Sequence, residues 1–240
     1  MIRIIPAIDI IDGKCVRLTR GDYSTRRIYD EDPVRVAGNF ADAGIRYLHL
    51  VDLDGARLKK PVNLKILQSI AKSTSMEIDF GGGIRKLSDV EEVFSLGAAR
   101  VTAGSVAVKD PGSALEWLER FGADKIILGA DVAGRKLAVS GWMENTDIKI
   151  FPFLKSFVEK GFHYIICTQV LSDGAFTGPD LALYKKIKEA YPYVFLIASG
   201  GVASIADVRL LDENRIDGVI IGRALYEKRI KLKELEPYIC

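Results

Sequence analysis

Short apolar runs rich in valine and isoleucine recur along the chain, and each is followed by turn residues and a stretch with helical periodicity. Such runs are typical of parallel strands that are buried on both faces. Eight are present, at residues 3–10, 47–53, 76–82, 100–105, 125–132, 164–170, 195–201 and 218–224. Eight alternations of strand and helix in 240 residues predict an α/β fold, a closed (β/α)8 TIM barrel forming one domain over residues 1–240, because this fold typically takes about 250 residues.

Polar residues between the runs predict where helices begin and end. Asp32 is suited to cap the first helix, with Pro33 in its first turn and Gly44 at its end. Two later helices carry pairs of the capping-box type, Ser88 with Glu91 and Ser204 with Asp207.

The second half of the chain resembles the first. Three glycines recur 118 positions later, Gly82, Gly83 and Gly104 as Gly200, Gly201 and Gly222. One register therefore covers a strand, a helix and the next strand without a gap. This repeat predicts two half-barrels, at about 1–122 and 123–240.

Reactive groups of such barrels lie at the carboxyl ends of the strands. Strands three, four, seven and eight end in small residues, which let backbone N–H groups approach an anion beside a helix N-terminus. The residues concerned are Gly82, Gly83, Gly104, Ser105, Gly200, Gly201, Gly222 and Arg223. A glycine pair alone also fits a plain tight turn. Two pairs in register, four strands apart, favour two phosphate-binding pockets on opposite sides of the ring.

The other four strands end in polar side chains, Asp9, Asp52, Asp131 and Thr168. Asp9 and Asp131 should face each other along the remaining diagonal. A carboxylate directly after a buried run is costly unless it has a task or a partner, and capping a loop or pairing with a basic side chain is the alternative. Two carboxylates in one pocket have pKa values that are pushed apart, so that one serves as acid and the other as base.

Composition narrows the partners. The charges of the 34 basic and 32 acidic residues nearly cancel, so the net charge gives no indication of binding to nucleic acid or to a membrane. The three cysteines are odd in number and widely spaced, and two histidines are too few for a His-rich metal site. His49 and His163 lie in apolar runs and are expected to be packed and hydrogen-bonded rather than catalytic. We expect a monomer in the cytoplasm.

Several motifs together resemble the phosphoribosylformimino-5-aminoimidazole carboxamide ribotide isomerases of histidine biosynthesis. The likeness covers essentially the whole chain, through "IPAIDIIDGKCVRLTRGDY", "LHLVDLDGA", "DFGGGIR", "GADV", "VSGW", "SDGAFTGPD", "IASGGV" and "GVIIGRAL". The opening motif and "SGW" are more specific than the glycine turns, which a sister cyclase barrel shares.

The resemblance implies an Amadori rearrangement of a small-molecule bisphosphate substrate, with no metal and no organic cofactor. It assigns Asp9 as the general base, Asp131 as the general acid and Thr168 as a hydrogen-bonding group in the centre of the site. Asp173, which precedes Gly174 in a turn next to the substrate, is a rival for the acid role.

The same likeness implies that Trp142 covers the substrate and that Arg85 contacts it. A tryptophan at the barrel rim and a solvated arginine are the alternatives. Residues 20–27 are expected to form a loop that closes over the site. The chain departs from the family pattern at Gln169, Ser172 and Ala175, which puts the hydrogen bonding around strand six in doubt.

Three other functions stay open from the sequence. They are the sister cyclase of imidazole glycerol phosphate synthase, which needs ammonia, a dual-substrate isomerase that also acts on phosphoribosyl anthranilate, and a phosphosugar-binding barrel without catalysis. The last would need the phosphate pockets but not both carboxylates.

Overall fold

A computed structural model describes residues 1–19 and 21–239. Its strands, in chain order, are β1 (Arg3–Ile11), β2 (Lys14–Thr19), β3 (Asp22–Asp30), β4 (Tyr47–Asp52), β5 (Glu77–Gly81), β6 (Arg100–Ala103), β7 (Ile126–Ala133), β8 (Lys136–Val139), β9 (Glu144–Lys149), β10 (Tyr164–Gln169), β11 (Phe195–Ser199) and β12 (Gly218–Ile221). The α-helices are α1 (Pro33–Asp42), α2 (Leu53–Leu58), α3 (Leu64–Ser73), α4 (Leu87–Ser95), α5 (Ser105–Lys109), α6 (Pro111–Phe121), α7 (Ile150–Val158), α8 (Leu181–Ala190), α9 (Ile205–Glu213) and α10 (Arg223–Tyr226), followed by a 3-10 helix at Leu232–Tyr238.

Eight parallel strands form a closed ring in the order β1, β4, β5, β6, β7, β10, β11, β12. Pairing of β12 with β1 and of β10 with β7 closes it. The predicted (β/α)8 barrel is confirmed. Four of these strands come from each half of the chain. The last strand is shorter than predicted, because Arg223 already begins α10.

Two of the three predicted helix starts are correct. Asp32 caps α1, accepting from the backbone N–H of Val34 and Arg35. The capping box of Ser204 and Asp207 is present at α9. The box of Ser88 and Glu91 is wrong. α4 is capped at Lys86, two residues before Ser88, because the Asp89 carboxylate accepts from the backbone N–H groups of Arg85 and Lys86.

Two β-hairpins extend from the ring. β2 turns back antiparallel on β1 and continues into β3, so residues 22–27 belong to a strand rather than to the predicted loop, and Arg20 lies outside the described residues. β8 and β9 form the second hairpin after β7. Their tips meet: a Cβ at Gly21 would lie 2.9 Å from the carbonyl oxygen of Gly141 and from the Trp142 ring.

Apolar side chains pack on both sides of the ring. The larger cluster joins the helices to the outside of the strands. A smaller cluster, Ile5, Ala7, Ile127, Ile166, Ile197 and Ile220, fills the inside of the barrel. It forms a rigid floor beneath the carboxyl ends of the strands. Within the described range, no helix has the length and apolar character needed to cross a membrane.

Candidate active site

One cavity of about 360 Å³ lies at the carboxyl ends of the barrel strands, a volume typical of small-molecule sites. All the site residues predicted from the sequence line it: Asp9, Gly82, Gly83, Arg85, Gly104, Ser105, Asp131, Trp142, Thr168, Asp173, Gly174, Gly200, Gly201, Gly222 and Arg223. The ring order places β1 opposite β7, and the β5/β6 edge opposite the β11/β12 edge. The glycine turns and the two aspartates thus occupy different diagonals of one cavity.

Each glycine turn packs against the end of the neighbouring strand in the ring, β4 for Gly82 and β10 for Gly200. Gly82 and Gly200 have φ values of +100° and +90°, which side chains other than glycine rarely adopt. A Cβ at Gly82 would overlap the backbone of Asp52, and a Cβ at Gly200 would lie 2.6 Å from the carbonyl oxygen of Gln169. Glycine is therefore needed in both halves for the same packing reason, besides leaving room for a ligand.

Asp52 is a structural residue and does not line the cavity. Its buried carboxylate accepts from the backbone N–H groups of Gly55, Val62 and Asn63 at 2.6–2.8 Å. It caps α2 and ties down the segment that follows. Among the four polar strand ends, it is the one that serves the loop rather than the site.

Asp9 forms an ion pair inside the cavity. Arg17 Nη1 donates to Asp9 Oδ2 at 2.6 Å, and Arg17 Nη2 donates to the carbonyl oxygen of Ala7 at 2.8 Å. Gly222 leaves room for this guanidinium, since a Cβ there would overlap it. Sequence reasoning missed Arg17, because the folding back of β2 along β1 was not predicted.

Asp131 lies on β7 beside Thr168 of β10, its partner in the strand register. Burial raises the pKa of Asp131, while hydrogen bonds from the Trp142 indole and the Thr168 hydroxyl and the nearby charge of His49 oppose the rise. Trp142 thus interacts with a carboxylate of the site, and its cover of the substrate stays a prediction. The positive φ of Trp142, +69°, fits its place in the tight turn between β8 and β9.

Asp173 has the most altered carboxyl group of the site. Its pKa is raised to about 6, because burial and, to a smaller extent, the charges of Asp9 and Asp131 outweigh the lowering by the charge of Arg17. All three carboxyl groups therefore interact across one cavity. At pH 7 about a tenth of Asp173 still carries its proton, against less than about a thousandth for an ordinary aspartate.

His49, expected to be packed and hydrogen-bonded, also lines the cavity. Its Nδ1 lies 2.6 Å from Asp79 Oδ2, and Asp79 Oδ1 accepts from the Thr102 hydroxyl at 2.7 Å. Burial lowers the pKa of His49, but the Asp79 charge and hydrogen bond and the charge of Asp9 more than offset it, so the pKa is raised. The expected hydrogen bond exists, within a chain of three side chains.

Arg223 connects the β12 edge to the loop of Asp173. Its Nη1 donates to the carbonyl oxygen of Gly174 at 2.6 Å, and its Nε donates to Glu227 at 2.7 Å. The guanidinium groups of Arg223 and Arg229 lie 4.7 and 4.2 Å from the centroid of the Phe176 ring. The side chain predicted to bind phosphate thus also fixes the segment that carries Asp173.

The β5/β6 side of the cavity is the more basic one. Its rim carries Arg57, Lys59, Arg85 and Lys109. Lys109 pairs with Glu144 at 2.6 Å. Arg85 is exposed at the rim of the cavity, and its contact with the substrate stays a prediction.

Gln169 points away from the cavity. It is buried, and its amide bonds Asp180 at 3.0 Å and the backbone of Gly134. The substitution relative to the family pattern therefore affects the packing of two loops and not the lining of the site. The hydrogen bonding around Thr168 does not involve it.

Comparison with known proteins gives consistent results. The family described as "Histidine biosynthesis protein" matches residues 3–231. The chain is 52% identical to a 1-(5-phosphoribosyl)-5-((5-phosphoribosylamino)methylideneamino) imidazole-4-carboxamide isomerase of Parabacteroides distasonis, over 98% of both chains. Proteins of the same name are 51% identical in Bacteroides fragilis, over all of both chains, and 49% identical in Flavobacterium psychrophilum, over 99% of this chain and 98% of the relative.

Proposed function

Because this chain belongs to the histidine biosynthesis protein family, we propose that it is the isomerase after which its relatives are named, acting on a substrate with two phosphoribosyl groups. The reaction is an Amadori rearrangement that converts the aldose end of this substrate to a ketose. The observation that carries the proposal is the shared cavity, in which two glycine-lined edges oppose each other and carboxyl groups lie between them.

Each phosphate would bind at one glycine-lined edge. Gly82, Gly83 and Gly104 lie on one side, and Gly200, Gly201 and Gly222 lie on the other. Basic side chains supplement both, Arg85 on the first and Arg223 on the second. Fixing a long substrate at both ends holds the ribose that carries the amino nitrogen beside the carboxyl groups, which reduces the entropy lost on reaching the transition state.

Ring opening needs an acid, and Asp173 fits this role best. The protonated carboxyl donates its proton to the furanose oxygen as the bond from C1′ to that oxygen breaks, leaving a C1′=N iminium. Its pKa of about 6 keeps the proton available near neutral pH, which an acid with an ordinary carboxyl pKa could not do. Asp131, with hydrogen bonds from Thr168 and Trp142, would then orient the ribose hydroxyl groups.

Asp9 would act as the base. Its carboxylate, held by Arg17, removes the C2′ proton from the iminium and gives an enaminol. The Asp9 carboxyl returns its proton to C1′, and the C2′ hydroxyl proton passes to the Asp173 carboxylate, so the ketose forms with no net gain or loss of atoms and both groups regain their starting states. The ion pair with Arg17 keeps the accepting oxygen in one position.

Turnover of the bisphosphate aldose by purified protein tests the function. We expect conversion to the ketose without ammonia, and loss of conversion in Asp9→Asn. Turnover that requires ammonia would instead identify a cyclase, and tight binding without turnover would identify a phosphosugar-binding protein. Conversion of phosphoribosyl anthranilate in a parallel assay would show a second substrate.

We also propose that the protein works as a monomer in the cytoplasm and binds no nucleic acid. This chain by itself supplies both glycine-lined edges and the three carboxyl groups of the cavity, and basic and acidic residues nearly balance. Cys15 and Cys167 are buried and unpaired, which suits a reducing compartment. Light scattering on the purified protein would test this state, and a dimer would contradict it.

A further inference from the structure

Three side chains on adjacent strands form a hydrogen-bonded chain that ends at the cavity. Thr102 on β6 donates to Asp79 on β5 at 2.7 Å, and Asp79 bonds His49 Nδ1 on β4 at 2.6 Å. Asp79 is 8% exposed, so its charge is largely removed from water and needs a partner. The one-to-one register of His49 and Asp79 across β4 and β5 fixes the pair in the barrel wall.

The orientation of the ring follows from this bond. Nδ1 is occupied by Asp79, and among the described residues no hydrogen bond to Nε2 accompanies it. Since His49 lines the cavity, Nε2 is the nitrogen left for a ligand. A histidine that bonds a carboxylate through one nitrogen presents the other as an N–H donor when both are protonated.

Charged groups surround His49 from every side. Asp79 lies on β5, Asp9 on β1 and Asp131 on β7, while Arg17 of β2 is the opposing cation. Arg100 on β6 approaches Asp79 from the far side but is itself paired with Glu77 at 2.7 Å. Three carboxyl groups against one nearby cation favour a charged imidazole ring.

We propose that Asp79 is a positioning residue that holds His49 as an imidazolium, and that the Nε2–H of this cation donates to the C2′ oxygen of the substrate. This role rests on the proposed isomerase function. Removal of the C2′ proton by Asp9 converts the iminium cation to a neutral enaminol, and a cation at the C2′ oxygen draws electron density from C2′ and so makes this proton easier to remove in the transition state. His49 transfers no proton, so the acid and base roles of the aspartates are unchanged.

Nitrogen NMR of the free protein tests the charge directly. The chain has two histidines, and His163→Asn removes the second signal. We expect both His49 nitrogens to carry protons at pH 7, where an unperturbed histidine is mostly neutral. In Asp79→Asn the ring should be mostly neutral at the same pH. A neutral ring in the parent protein, or an unchanged ring in Asp79→Asn, would overturn the proposal.

Kinetics test the consequence. Asp79→Asn should lower kcat about tenfold or more with little change in KM, because the lost interaction acts in the transition state. The alkaline limb of its pH profile should move to lower pH, and acidification should restore part of the rate. Thr102→Val, which leaves the Asp79 charge in place, should show a smaller loss. A loss in Asp79→Asn that no pH restores would mean a structural role only.

Glu77→Gln is the matched control. It removes a carboxylate from the same strand, but Glu77 is exposed and pairs with Arg100. We expect its kcat and its His49 spectrum to equal those of the parent protein, and an equal loss in this variant would overturn the assignment to Asp79. The NMR measurement needs no substrate. A parent protein that fails to turn over the bisphosphate would refute the proposed function while leaving the imidazolium measurable.

Discussion

At the scale of single residues, position after a buried strand does not by itself decide what an aspartate does. Asp9 and Asp52 follow neighbouring strands of the ring. Asp9 meets one arginine at the cavity, whereas Asp52 is enclosed by backbone N–H groups. Asp9 therefore keeps a carboxylate oxygen that can accept a proton. Both carboxylate oxygens of Asp52 already accept hydrogen bonds from the loop that it supports.

Replacing each by asparagine should therefore have opposite effects. Asp9→Asn should lower kcat by roughly 10²–10⁴-fold, the usual contribution of a general base, with little change in the free energy of unfolding. Asp52→Asn should cost roughly 1–3 kcal/mol of stability, because an amide N–H₂ would face backbone donors. Steady-state kinetics and urea unfolding of both variants would check this. Full activity of Asp9→Asn would remove Asp9 from the mechanism.

The raised pKa of Asp173 should lower the free energy of unfolding at neutral and alkaline pH. Its pKa is near 3.8 when unfolded and about 6 when folded, so the folded protein binds the proton more tightly. The free energy of unfolding should then fall as pH rises from about 4 through 6, and stay low above that range.

Asp173→Asn should remove this penalty. We expect it to stabilise the protein at pH 8 by an amount on the order of 3 kcal/mol, to have a much smaller effect near pH 4, and to abolish most turnover. Thermal unfolding at the two pH values measures the difference. Equal effects at both would show that Asp173 is ionised normally in the folded protein, and the acid role would then pass to Asp131.

At the scale of elements, the glycine turns act through the loops that pack on them. A Cβ at Gly201 would overlap the carbonyl of Gly178 and lie 3.0 Å from Cβ of Ser172. These two residues flank the segment of Asp173 and Gly174. The turn after β11 thus holds the loop after β10 in place, in addition to lining the cavity.

Gly201→Ala should disturb this loop, and Gly122→Ala is its control. Both glycines have a similar positive φ, +87° and +86°, but nothing lies within 4 Å of a Cβ at Gly122. Each alanine should lower the free energy of unfolding by roughly 1–3 kcal/mol, because its backbone conformation is strained. Only Gly201→Ala should lose further stability and at least tenfold in kcat. Equal losses in the two variants would contradict the packing role.

At the scale of the whole molecule, the ring and its strand ends could be predicted from the sequence because they follow from local patterns. Apolar runs marked the strands, and the positions of Asp9, Asp131 and the glycine turns relative to those runs placed them in one cavity. The half-barrel duplication stays a prediction, and the matching contacts of Gly82 and Gly200 with the preceding strand ends agree with it.

What the sequence did not predict depends on contacts between distant segments. Arg17 reaches Asp9 only because β2 folds back on β1. His49 has the sequence pattern of a packed residue, because its partner Asp79 is adjacent only through the strand register. The first turn of α4 was misplaced because Asp89, rather than Glu91, accepts the free N–H groups.

The account rests on two opposed phosphate sites with carboxyl groups between them, and a structure of Asp9→Asn with the bisphosphate substrate bound tests it most directly. We predict one phosphate at Gly82, Gly83 and Gly104, the other at Gly200, Gly201 and Gly222, and the ribose C2′ beside residue 9. Both phosphates on one side of the ring, or a C2′ atom far from residue 9, would contradict it.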